Sequence, residues 1–81
     1  MSVTVLLFAS IAEKAGTRRV ELPFTAGETV ASVRDRLLEQ FPQLEPFVPT
    51  LLYALDEEYA RSGAAVHDGA TVAFIPPVSG G

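Results

Sequence analysis

Residues 3–9 (VTVLLFA) are apolar at nearly every position and rich in β-branched side chains. That pattern predicts a strand covered on both faces and central in a sheet. Residues 18–22 alternate instead, turning Val20 and Leu22 inward, and read as an outer strand ended by Pro23. Between them, Ser10-Ile11-Ala12-Glu13 has the spacing of a capping box and Gly16 stands where a helix stops, which predicts one or two helical turns. From Thr29 the period becomes helical. Val30, Val33, Leu37, Leu38 and Phe41 fall on one stripe, while Arg34, Asp35, Arg36 and Glu39 take the wet side. Thr29 is the expected cap and Pro42 the expected end.

Residues 43–50 contain Pro46 and Pro49 and read as an irregular connection. A third strand is expected over residues 51–55, followed by an acidic turn at Asp56-Glu57-Glu58 and a short strand at Tyr59-Ala60. Asp68-Gly69 then turns the chain into a last strand, residues 71–75. The first and last strands are the most evenly apolar, so both belong in the middle of the sheet, paired with each other. One main helix packed on one face of such a mixed sheet, through a right-handed crossover, gives an α+β chain of β-grasp, or ubiquitin-like, architecture. The expected organisation is a β-grasp domain over residues 1–77 and a flexible C-terminal tail over 78–81.

Composition narrows the function classes. Eighty-one residues make one small domain, and 48% hydrophobic with 20% charged residues excludes a disordered chain. A net charge of −4 with six scattered basic residues gives no footprint for nucleic acid or an anionic membrane. Without cysteine there is no disulfide, thiolate metal site or cysteine nucleophile. The N-terminal MSVTV has no charged leader region and no apolar run reaches spanning length, so a cytoplasmic protein is expected.

Candidate chemistry inside the body is sparse. His67 precedes Asp68-Gly69 without an accompanying Ser or Cys nucleophile, and reads as a structural or solvated histidine rather than a catalytic one. Asp56, Glu57 and Glu58 lack the spaced ligands of a calcium loop and read as a solvated turn. Gly16, Gly27, Gly63 and Gly69 stand singly, so there is no phosphate-binding loop. No cofactor or metal site is therefore expected on this chain.

The informative segment is residues 72–81, VAFIPPVSGG. Pro76 and Pro77 donate no N–H and hold φ near −65°, so they stop the sheet ladder and push the last four residues off the body. Gly80 and Gly81 lack Cβ, so a narrow tunnel admits them and reactants reach the last carbonyl from either side. The expected reactive residue is Gly81. Its carboxylate is inert until activated, ordinarily as an acyl-adenylate made by another enzyme. Attack by a sulfur donor then leaves a thiocarboxylate, and attack by a lysine amine leaves an isopeptide bond. The partner-facing segment is expected to run through Phe74, Ile75, Pro76, Pro77, Val78, Ser79 and Gly80. Alternation lets only one of Phe74 and Ile75 point away from the helix.

Across its full length the chain resembles the MoaD-like small subunits of molybdopterin synthase, a ubiquitin-like sulfur-carrier family. The resemblance rests on Leu7-Phe8-Ala9 with Glu13 and Gly16, the helix from Thr29 to Phe41 with Pro42, Asp68-Gly69, and above all residues 72–81. It implies a non-catalytic, sulfur-donating subunit whose Gly81 is adenylated by an E1-like (MoeB-like) enzyme and then thiocarboxylated. It further implies insertion of the tail into the large (MoaE-like) subunit, where sulfur passes to cyclic pyranopterin monophosphate to form the molybdopterin dithiolene. ATP and the pterin would be bound by the partners. The chain departs from the family at Ala12, where an Arg is common, at Asp56, often Asn, and at Ala70, often acidic. These departures bear on partner contacts, not on the tail. A thiamine-pathway sulfur carrier, a ubiquitin-like protein modifier joined through Gly81, and a plain interaction domain are the alternatives.

Overall fold

The computed structural model describes residues 1–77. In chain order the elements are β1 (Ser2–Leu7), α1 (Ala9–Ala15), β2 (Arg19–Pro23), α2 (Val30–Gln40), a 3-10 segment (Pro42–Thr50), β3 (Leu52–Leu55), β4 (Glu58–Ala60) and β5 (Thr71–Ile75). They build one mixed sheet in the order β2-β1-β5-β3-β4. The first and last strands do occupy its centre and run parallel, with Val5 beside Val72 and Leu7 beside Phe74. β2 and β3 flank them antiparallel. This is the β-grasp arrangement that the alternation of strands and helix predicted.

The register assigns each residue a face. Val3, Val5 and Leu7 of β1, Leu22 of β2, and Val72 and Phe74 of β5 turn inward and are buried with Val30, Val33 and Leu37 of α2. Thr4 and Leu6 turn the other way and are half-buried. β1 is thus covered on one face, not two as its apolar run suggested, because both helices lie on the same side of the sheet. Its second face looks outward and carries Leu6 into an open apolar surface.

Local physics sets the boundaries. Thr29 caps α2 as expected, its hydroxyl accepting the Ser32 amide while Ser32 Oγ accepts the Thr29 amide. α1 begins two residues earlier than the capping-box spacing indicated. Phe8 is the cap residue, with no side-chain bond, and Ser10 lies inside the helix. Gly16 does end it, in the left-handed conformation at φ 79° that suits a residue without Cβ. The proline-rich connection is not irregular but a 3-10 segment that starts at Pro42 and buries Leu44. Pro42 stands at its first turn, where a backbone N–H has no partner within the helix to lose.

Two arginines expected on the wet side of α2 are held instead. Arg34 donates to the Tyr53 hydroxyl at 3.0 Å, joining α2 to β3. Arg36 pairs at 2.5 Å with Glu28, which is only 6% exposed and also accepts from the Ser32 hydroxyl. The neighbouring backbone is locked too, since the Glu28 carbonyl accepts the Val66 amide and the Ala64 carbonyl accepts the Val30 amide. A buried carboxylate is costly when its cation is removed. Arg36→Met should therefore lower stability by about 2–4 kcal/mol in urea unfolding, more than Glu28→Gln, which leaves a neutral partner in place and lets Arg36 turn to water. Equal losses in both variants would show that the pair does not act as a charged unit.

Candidate functional site

β5 delivers the chain to the site. It leaves the sheet at Ile75, between the end of β1 at Leu7 and the start of β3 at Leu52, its cross-strand partner. Pro76 is half-buried and Pro77 exposed. Val78, Ser79, Gly80 and Gly81 lie outside the described residues.

Alternation divides Phe74 from Ile75. Phe74 is 1% exposed and faces the helix, with its ring meeting Tyr53 edge to face at 5.5 Å and 82°. It belongs to the core, so its expected place on the partner-facing segment is corrected. Ile75 lies on the opposite, open face and is half-buried.

That open face has two halves. On the β2 side it is polar, where Glu21 accepts from Thr4 at 2.9 Å and pairs with Arg19 at 3.0 Å. These bonds, the Arg19 bond first, hold the Glu21 carboxyl below the usual carboxylate range. On the β5-β3-β4 side the face is apolar. Leu6, Ala73, Ala54 and Ile75 floor a groove of about 280 Å³, with Phe8 and Tyr59 at its margins. Tyr59 is 78% exposed, and Phe8 and Leu52 are nearly half exposed. Large apolar side chains gathered like this beside a strand end mark an interaction surface. A second recess, of about 660 Å³, lies between β1, α1 and the residues leading to β2, lined by Phe8, Ala12, Glu13 and Arg18 among others.

Sequence reasoning missed Leu6, Phe8, Leu52, Ala54 and Tyr59 as surface-forming residues. No single strand reveals them as a set, since only the cross-strand register brings them together. The available signal was Tyr59, a lone aromatic in a strand too short to need one. The departures at Ala12 and Ala70 are both buried, while Asp56 is exposed and takes part in a hydrogen-bonded turn.

Strain sits nearby. Ala9, directly after Phe8, has φ 50°, and Asp56 and Glu57, the two residues between β3 and β4, have φ 50° and 73°. Positive φ at both central positions is the twist a two-residue hairpin requires, although neither residue is the glycine that adopts it most easily. Among the described residues no group of three or more His, Asp or Glu side chains could hold a metal ion, and no helix is long and apolar enough to cross a membrane.

A β-grasp body with its main helix packed on one face of the sheet and an apolar open face beside the end of its central strand defines a ubiquitin-like protein. The chain belongs to the ThiS family, whose model matches residues 5–81. It is 37% identical to the molybdopterin synthase sulfur carrier subunit of Arabidopsis thaliana, over all of this chain and 84% of the relative. Among solved structures, SAMP1 from Haloferax volcanii superposes with a TM-score of 0.91 at 34% identity, covering both chains completely. The complex of subunits 1 and 2 of the molybdopterin-converting factor from Helicobacter pylori contains a chain of the same fold, with TM-score 0.70, 20% identity and both chains fully covered.

Proposed function

We propose that this chain is the sulfur-carrier subunit of a molybdopterin synthase, acting in the cytoplasm through the carboxylate of Gly81. An ATP-dependent adenylating enzyme joins that carboxylate to AMP and releases pyrophosphate. A sulfur donor then displaces AMP, leaving a thiocarboxylate. The large synthase subunit receives the tail and moves the sulfur to cyclic pyranopterin monophosphate, water supplying the oxygen that returns Gly81 to a carboxylate, and a second thiocarboxylated chain delivers the second sulfur of the dithiolene. ATP and pterin bind to the partners, and this chain supplies the sulfur and the docking surface. The apolar open face, with Ile75 at its edge, is the natural seat for a partner that must hold the body while it draws in residues 76–81.

The observation that carries this reading is the match, over the whole chain, to a synthase sulfur carrier. It is joined by an apolar surface groove that borders the strand leading to Gly80-Gly81. The test is reconstitution. Thiocarboxylated chain and the cognate large subunit should convert cyclic pyranopterin monophosphate to molybdopterin, and the unmodified chain should not.

The similarity to SAMP1 of Haloferax volcanii, which is named a small archaeal modifier protein, favours a second reading in which the same activated Gly81 is passed to lysine amines. Isopeptide-linked conjugates in cells, with no pterin conversion in the reconstituted reaction, would select it.

A further inference from the structure

Both ring nitrogens of His67 face oxygen atoms that only accept. Nδ1 lies 2.8 Å from the Asp68 carbonyl and Nε2 lies 2.7 Å from Asp56 Oδ2. A neutral imidazole carries one N–H, so it makes one of these bonds and turns a lone pair towards the other oxygen. The imidazolium makes both. Asp56 is itself tied to β5, its Oδ1 accepting the Thr71 amide at 3.0 Å and its own amide donating to the Thr71 carbonyl at 2.8 Å. It is also the first of the two positive-φ residues between β3 and β4. The second, Glu57, lines the open-face groove together with Tyr59 and Thr71.

We propose that His67 is a pH-dependent clasp. As the imidazolium it ties Asp56 of the β3–β4 turn to the Asp68 carbonyl ahead of β5 and so reinforces the Asp56–Thr71 bonds that hold the Glu57 and Tyr59 wall of the groove; on losing its proton it keeps only one of its two bonds, and the wall loosens. A turn that holds two non-glycine residues at positive φ depends on such outside support.

The charged groups acting on the ring are Asp56, across the turn, and Asp68 on its own loop. The hydrogen bond to Asp56, and then that to the Asp68 carbonyl, raises the His67 pKa above the ordinary imidazole value. The Thr71 amide, and then His67, holds the Asp56 carboxyl below its ordinary value. The two directions define a window. The raised His67 contributes fully below the ordinary imidazole value and loses its contribution as pH rises through the raised one. The lowered Asp56 contributes above the ordinary carboxylate value and loses its contribution as pH falls through the lowered one. The clasp contributes fully between about pH 4 and about pH 6.5, and is lost as pH rises through the raised His67 value or falls through the lowered Asp56 value.

An NMR titration of the full chain from about pH 4.5 to about pH 8.5 tests this without any partner. His67 should titrate above the ordinary imidazole value. The amide signals of Glu57 and Thr71 and the ring signals of Tyr59 should move with the same midpoint. His67→Gln should remove that shared step while leaving the far-ultraviolet circular dichroism unchanged, and Asp56→Asn should bring the His67 midpoint back towards the ordinary value. A His67 midpoint at the ordinary value in both wild type and Asp56→Asn would overturn the clasp. So would Glu57, Thr71 and Tyr59 signals that ignore the His67 titration.

Discussion

Replacing Gly80 by valine should slow adenylation or sulfur transfer by about a hundredfold or more while leaving the melting temperature nearly unchanged. The two effects separate because the parts do different work. The buried apolar residues that hold the described fold run from Val3 to Phe74, and the exchange at position 80 alters none of those side chains. The proposed reaction, in contrast, needs the last residues to reach into active sites on other proteins. A β-branched residue at position 80 adds a Cβ and two methyl groups to a segment that glycine keeps to backbone width. Losing a few kcal/mol of fit between tail and channel is enough for the stated rate loss. Near wild-type thiocarboxylation and transfer by Gly80→Val would show that slenderness is not what the glycine provides.

The second large effect comes from two adjacent residues with opposite roles. Phe74→Ala should cost about 3–5 kcal/mol, because it empties the core beneath α2 and strips Tyr53 of its aromatic partner. For a chain of this size the total is on the order of 4–12 kcal/mol, so the loss takes a quarter of it or more. Ile75→Ala, on the half-exposed open face, should cost less than about 1.5 kcal/mol and leave the fold intact. It should nevertheless weaken binding of the large subunit by about tenfold or more, as truncation of an apolar anchor beside the tail would. Urea unfolding of each variant, followed by titration with the large subunit, separates them. Equal stability loss in both, with binding unchanged in the molecules that remain folded, would remove the open face from the docking account.

The contrast between Phe74 and Ile75 also shows what can be read from sequence here. Period and punctuation located every strand to within a residue or two, because alternation, the Thr29 cap, Gly16 and Pro42 act locally. The pairing of β1 with β5 followed from their shared apolar character. The inward or outward choice at Phe74 and Ile75 did not, since it depends on which sheet face the helices cover. The same choice decides whether Leu6, Ala54 and Ala73 are core or surface. Residues 3–9 read as doubly buried for a related reason: an apolar face awaiting a partner has the same composition as one already covered. The Glu28–Arg36 pair and the His67–Asp56 contact were also out of reach, as each joins segments whose approach only the folded chain defines. For the reactive end the situation is reversed, because the chemistry of Gly81 rests on the sequence alone and the described residues supply only the platform that leads to it.

The central claim is that sulfur travels on the carboxylate of Gly81, and intact-mass measurement tests it most directly. After incubation with the cognate adenylating enzyme, ATP and a sulfur donor, the whole chain should gain the mass difference of one oxygen exchanged for one sulfur. Fragmentation should place that change on Gly81, and the large subunit with its pterin substrate should reverse it. A chain lacking Gly81 should show no exchange. An unchanged mass in the complete reaction, or the same gain in the chain without Gly81, would contradict the account.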